Sequence, residues 1–109
     1  MKTKTKTIDS YTLTLWIGGD FQEVRRHCLS WANHNEICIT VSPTEFCYVG
    51  GNEFGARIGF QAYPRFPKSK EDIWKKANAL AKHLLKSENL NQHTCLLVGP
   101  EKTKWFYTN

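Results

Sequence analysis

No stretch of this 109-residue chain approaches the ~18 consecutive apolar residues of a membrane span, which excludes a helical membrane protein. The basic residues of Met1-Lys-Thr-Lys-Thr-Lys-Thr have no apolar run behind them, so a secretory signal is not expected. The four cysteines, Cys28, Cys38, Cys47 and Cys95, include no Cys-x-x-Cys pair, which argues against a zinc ribbon or a thiol-redox motif. Cys28, Cys38 and Cys95 sit in apolar segments, and the expected state is a buried free thiol. There is no Gly-x-Gly-x-x-Gly, no phosphate-binding Gly-Lys-Ser/Thr loop and no Gly-x-Ser-x-Gly elbow. The four histidines, His27, His34, His83 and His93, are scattered, so neither a metal nor a cofactor is expected. Internal repeats and linkers are missing too, and the length suits one domain: residues 10–109, preceded by a flexible basic tail over 1–9.

What is present is a well-populated core. Hydrophobic residues make up 40% of the chain and aromatics 13%, enough to bury an interior and exclude wholesale disorder. The net charge of +5 invites a nucleic-acid reading, but its distribution weakens that reading. Residues 1–8 carry +3 and residues 68–88 another +3, whereas residues 9–67 carry −2. A solvated tail and one helix face account for the excess.

Tyr11, Leu13, Leu15 and Ile17 alternate with Thr12, Thr14 and Trp16, which predicts a strand ended by Gly18-Gly19. Asp20 with Glu23 marks a helix start, and Phe21, Val24, Cys28 and Trp31 form its inward stripe. Ile37–Val41 reads as a strand interrupted at Pro43 and resumed at Glu45–Val49. A Gly50-Gly51-Asn52-Glu53 turn leads to a returning strand over 56–63. Ser69 with Asp72 starts a second helix, with Ile73, Ala77, Leu80 and Leu84 on one stripe. Thr94–Val98 is the fourth strand, and Lys104–Tyr107 has room to form a fifth.

This order is β-α-β-β-α-β, the α+β ferredoxin-like sandwich: an antiparallel sheet with both helices on one face. The other face would carry Thr12, Thr14, Trp16, Thr40, Arg57, Gln61 and Tyr63. Trp16 and Tyr63 are large for open water, so a cover is expected. The leading candidate is a second copy of the chain in a homo-oligomer; the others are the Trp105-Phe106-Tyr107 run folded back, or a nucleic-acid base.

The densest chemistry lies between residues 43 and 65, where two carboxylates, two arginines and two phenols fall on a hairpin and its exit. Arg57, Tyr63, Arg65, Trp16 and Glu53 are the candidate ligand-binding residues, the arginines for an anion and the aromatics for stacking. If the protein is an enzyme, Glu45 (or Glu53) serves as base and Tyr48 as acid or orienter. Tyr48 and Arg57 are expected to face each other across the hairpin. The ordinary alternative is a set of cross-strand pairs around a tight turn.

The Pro43-Thr44-Glu45-Phe46-x-Tyr48-x-Gly50-Gly51 hairpin and the Gly59-Phe60-x-x-Tyr63-Pro64-Arg65-Phe66-Pro67 segment resemble small uncharacterised proteins of tailed bacteriophages, over residues 11 to about 107. That resemblance implies a protein made in the cytoplasm of an infected bacterium. An accessory role there, such as countering host defence, fits it. The element order and the Glu/Tyr pair are similar to those of phage-type S-adenosylmethionine lyases and nitrogen-regulatory trimers. This second resemblance implies a ferredoxin-like trimer holding a nucleotide-like ligand between subunits.

Three functions follow. The first is a homo-oligomeric module binding a small anionic or nucleotide-like ligand, or a host protein, near the hairpin. The second is a small lyase or hydrolase acting on a nucleotide or nucleoside such as S-adenosylmethionine. The third is single-stranded nucleic-acid binding, disfavoured because Phe60 falls in phase with the core rather than with a stacking platform.

Overall fold

A computed structural model describes residues 2–108. Its elements are β1 (Thr12–Gly18), α1 (Phe21–Asn35), β2 (Ile39–Tyr48), β3 (Gly51–Gln61), α2 (Lys70–Lys86), β4 (Thr94–Val98) and β5 (Thr103–Tyr107). The five strands form one sheet in the order β2-β3-β1-β4-β5, and every paired neighbour is antiparallel. This is the ferredoxin-like arrangement with an added edge strand. Among the described residues no helix is long and apolar enough to cross a membrane.

Alternation sorts each strand into two faces. Leu13, Leu15 and Ile17 of β1, Ala56, Ile58 and Phe60 of β3, and Cys95 and Leu97 of β4 all point to the helix side and are buried. Val24 and Cys28 of α1 and Ile73, Ala77, Leu80, Ala81 and Leu84 of α2 close over them. Among the described residues no charged side chain is buried, and the core is apolar apart from the Tyr11 hydroxyl, which donates to Glu101 and accepts from the Trp74 indole N–H.

Both predicted helix starts are capped. The Asp20 carboxylate accepts from the Glu23 amide at 3.0 Å, and the Ser69 hydroxyl accepts from the Asp72 amide at 3.1 Å. The α1 cap is one-sided, because the Glu23 carboxylate turns away to pair with Arg26. Glu36 ends α1 in the left-handed region, at φ 50°.

Three expectations need correction. Pro43 does not interrupt a strand: β2 runs unbroken from Ile39 to Tyr48, with Pro43 opposite Ala56. β2 is the edge of the sheet, where alternate N–H groups face solvent and a proline need not remove a ladder bond. Cys38 and Cys47 are exposed; only Cys28 and Cys95 are buried, although all four are free. The terminal Trp105-Phe106-Tyr107 run does not fold over the open face but pairs with β4 as β5.

Candidate functional site on the open sheet face

The β2–β3 hairpin is longer than its neighbours. β1 stops pairing at Gly18, opposite Gly55, and the remainder of β2 and β3 projects beyond it as a two-stranded arm. The turn at its tip is only Val49-Gly50, because Tyr48 already pairs with Gly51. Gly50 has φ 86°, as the third position of a type II turn requires.

Around the end of β1, on the face without helices, lies a cavity of about 610 Å³. That volume suits a small-molecule ligand. Trp16 and Gly18 form its floor; Phe46, Tyr48 and Glu53 come from the arm; Thr94, Leu96 and Trp105 come from β4 and β5. Four aromatic side chains, Trp16, Phe46, Tyr48 and Trp105, are among its walls. Trp16 and Phe46 meet edge to face with ring centroids 6.3 Å apart. The Trp105 indole N–H donates to Thr94 Oγ1, and its ring lies 4.4 Å from that of Tyr107.

One carboxylate is aimed into this space. Glu53 lies over the Gly18 backbone so closely that a Cβ on Gly18 would collide with Glu53 Oε1 and come within 3.0 Å of Gln92 Oε1. Gly18 therefore makes the room that the Glu53 carboxylate occupies. Glu45 also borders the cavity but stands on the opposite pleat, where its carboxylate accepts from the Asn52 side-chain amide at 2.8 Å. Tyr48 Oη has a long contact of 3.5 Å to the Asn52 carbonyl. Gly51 leaves space for the Tyr48 ring, whose edge would sit 3.2 Å from a Cβ there.

The structure divides the predicted site residues. Trp16, Glu45, Tyr48 and Glu53 border the cavity. Arg57 does not face Tyr48: it pairs with Ser42, six residues from the tip, roughly 20 Å along the strand. Its guanidinium stacks at 5.9 Å from the Trp16 ring, next to the cavity floor. Tyr63 and Arg65 lie beyond the far end of β3. Tyr63 bridges to Phe66, and Arg65 stacks 5.6 Å from Phe66, beside a second cavity that also touches Cys38. The residues bordering the first cavity thus include two glutamates and neither lysine nor arginine, among the described residues. Local sequence pattern does not single out Gln92, Thr94, Leu96 or Trp105 as site residues. The open-face phase of Thr94, Leu96 and Trp105 is readable, but their nearness to the hairpin depends on strand order.

No protein-family model and no curated protein sequence matches the chain. Among solved structures, it is similar to a phage SAM lyase in complex with S-methyl-5'-thioadenosine, with a TM-score of 0.76 and 13% identity over 97% of both chains. The apo state of a phage SAM lyase gives 0.76 and 14% over 98% of both chains. The likeness spans nearly the whole of each chain and is a likeness of fold.

Proposed function

We propose that this protein binds S-adenosylmethionine or a close sulfonium nucleoside in the open-face cavity and cleaves it, releasing S-methyl-5'-thioadenosine. The observation that carries this reading is a carboxylate, Glu53, aimed into a cavity whose described lining includes four aromatic side chains and no cationic one, in a fold shared with phage SAM lyases. Trp16, Phe46 and Trp105 supply faces and edges for an adenine ring. Glu53 supplies the counter-charge for a sulfonium centre. The electron pair of the broken carbon–sulfur bond stays on sulfur as a neutral thioether, while the substrate's own carboxylate oxygen bonds to the carbon that leaves, so the second product is the amino-lactone and no co-reactant is needed. Tyr48, at the cavity's outer edge, orients the part of the ligand that leaves. This charge pattern favours a cationic ligand over the anion that Arg57 and Arg65 suggest in the sequence.

The open face also supports self-association. Tyr48, Leu96, Trp105 and Tyr107 stand exposed along it, and a second copy would cover them and roof the cavity. The setting this reading implies is the cytoplasm of a phage-infected bacterium.

The test is incubation of the purified protein with S-adenosylmethionine, followed by mass spectrometry and a thermal-shift series. Formation of S-methyl-5'-thioadenosine, lost in Glu53→Gln, supports the enzyme. A melting shift without product reduces the function to binding. Neither shift nor product, at millimolar ligand, overturns the proposal.

A further inference from the structure

The helices cover the opposite side of the sheet, and there the fold joins two histidines that are 56 residues apart in sequence. His27 lies midway along α1 and His83 in the last turn of α2. His27 Nδ1 is 3.4 Å from His83 Nε2, with ring centroids 5.4 Å apart and planes at 66°. The other nitrogen of His27, Nε2, lies 3.0 Å from the Ser87 hydroxyl oxygen.

This arrangement has the parts of a metal site. Two Zn–N bonds of ~2.0–2.1 Å at a tetrahedral angle place their nitrogens about 3.4 Å apart, the separation seen here. Ser87 can accept from His27 Nε2–H, which leaves the lone pair on Nδ1, facing His83. A hydrogen bond on the far ring nitrogen is the usual way that a ligating histidine is held in its tautomer. His83 is exposed, so an ion and its waters have access. Among the described residues no cluster of three or more His, Cys, Asp or Glu is placed to hold a metal, so water must complete the shell.

We propose that His27 and His83 form a two-imidazole site, spanning α1 and α2, that takes a borderline divalent cation such as zinc, nickel or copper. Imidazole nitrogen selects these ions over magnesium and calcium, which prefer oxygen. An ion held by both rings binds only the folded chain, and so it staples the helical layer.

Melting of the full chain in chelator-free buffer with Ni²⁺ at about 100 µM is expected to rise by ~4 °C or more. Excess EDTA should reverse the rise, and His27→Gln and His83→Gln should each abolish it. The double variant His34→Gln/His93→Gln should keep it. No rise with Ni²⁺, Zn²⁺ or Cu²⁺, or a rise that survives both His27→Gln and His83→Gln, overturns the proposal. So does an equal rise with Mg²⁺. A second readout needs no variant: in the NMR spectrum of the unaltered protein, substoichiometric Ni²⁺ should broaden the His27 and His83 ring signals first. Broadening of His34 or His93 first also overturns the proposal. The site lies across the sheet from the open-face cavity, so either result leaves the proposed function untouched.

Discussion

The two faces of the sheet are made from alternate residues of the same strands, yet they do opposite work. On the helix face, Leu13, Leu15, Ile58 and Phe60 are wholly buried and their neighbours are chosen for volume. One residue along, Thr14, Trp16, Arg57 and Gly59 look out on a face without a helix. Any one-residue slip would exchange the two sets, so packing on one face fixes the register that assembles the cavity on the other. Stability and the proposed ligand chemistry are thereby separated by a single position, and substitutions can test that separation.

The largest effect belongs to the core. Phe60→Ala should cost about 3–5 kcal/mol in urea unfolding, whereas Trp16→Ala, across the pleat, should cost about 1 kcal/mol. Comparable losses would mean that the open face carries packing as well.

Two glycines, Gly18 in the cavity floor and Gly55 paired with it on β3, sharpen the comparison. A Cβ on Gly55 would strike the Ile17 carbonyl oxygen and lie 2.7 Å from Gly18 Cα, both backbone atoms. Gly55→Ala should therefore destabilise by roughly 1–3 kcal/mol. Gly18→Ala displaces a flexible carboxylate instead, so its stability should stay within about 1 kcal/mol of the parent. Its affinity for S-adenosylmethionine, measured by calorimetry, should nevertheless fall about tenfold or more, close to 1.4 kcal/mol. Glu53→Gln should match it in affinity while leaving the unfolding midpoint unchanged.

The smallest effect is read from thiols. Burial pushes Cys28 and Cys95 from an ordinary 9.0 to about 12. In the native state a thiol reagent should modify Cys38 and Cys47 quickly and reach Cys28 and Cys95 only in denaturant. The folded chain holds those two protons more tightly than the unfolded chain. Their contribution to stability is therefore complete below about pH 9 and should decline as pH rises toward 12, as alkaline unfolding curves would show.

Much of the fold is legible in the chain itself. The alternation from Tyr11 to Ile17, the caps Asp20 and Ser69, and the Ile73–Leu84 stripe all reappear as the elements they predict. The element order leads to the ferredoxin-like arrangement for the same reason: local pattern sets strand and helix, and chain connectivity limits how they pack. Register is harder. A turn over Gly50–Glu53 would bring Tyr48 near Arg57, but the two-residue Val49-Gly50 turn sends them apart. Half of the candidate site is visible as a polar–aromatic cluster, because Glu45, Tyr48 and Glu53 share one hairpin. The other half arrives from β4 and β5 through a sheet order that no local window contains. Tyr63 and Arg65 are near the hairpin in sequence, but the 11 residues of β3 run straight and carry them away from the cavity.

The projecting arm sets the mechanics of the cavity. Trp16 and Gly18 sit on a strand bonded on both sides, so that wall is stiff. Phe46, Tyr48 and Glu53 sit where β2 and β3 have only each other, so that wall bends at low cost and its amides should exchange with solvent well before those of Leu15. A ligand seated between them would lose little in meeting the floor and would have to quiet the arm. Its affinity would be limited by the entropy of a hinge, and cross-linking the arm tip would tighten binding without a new contact.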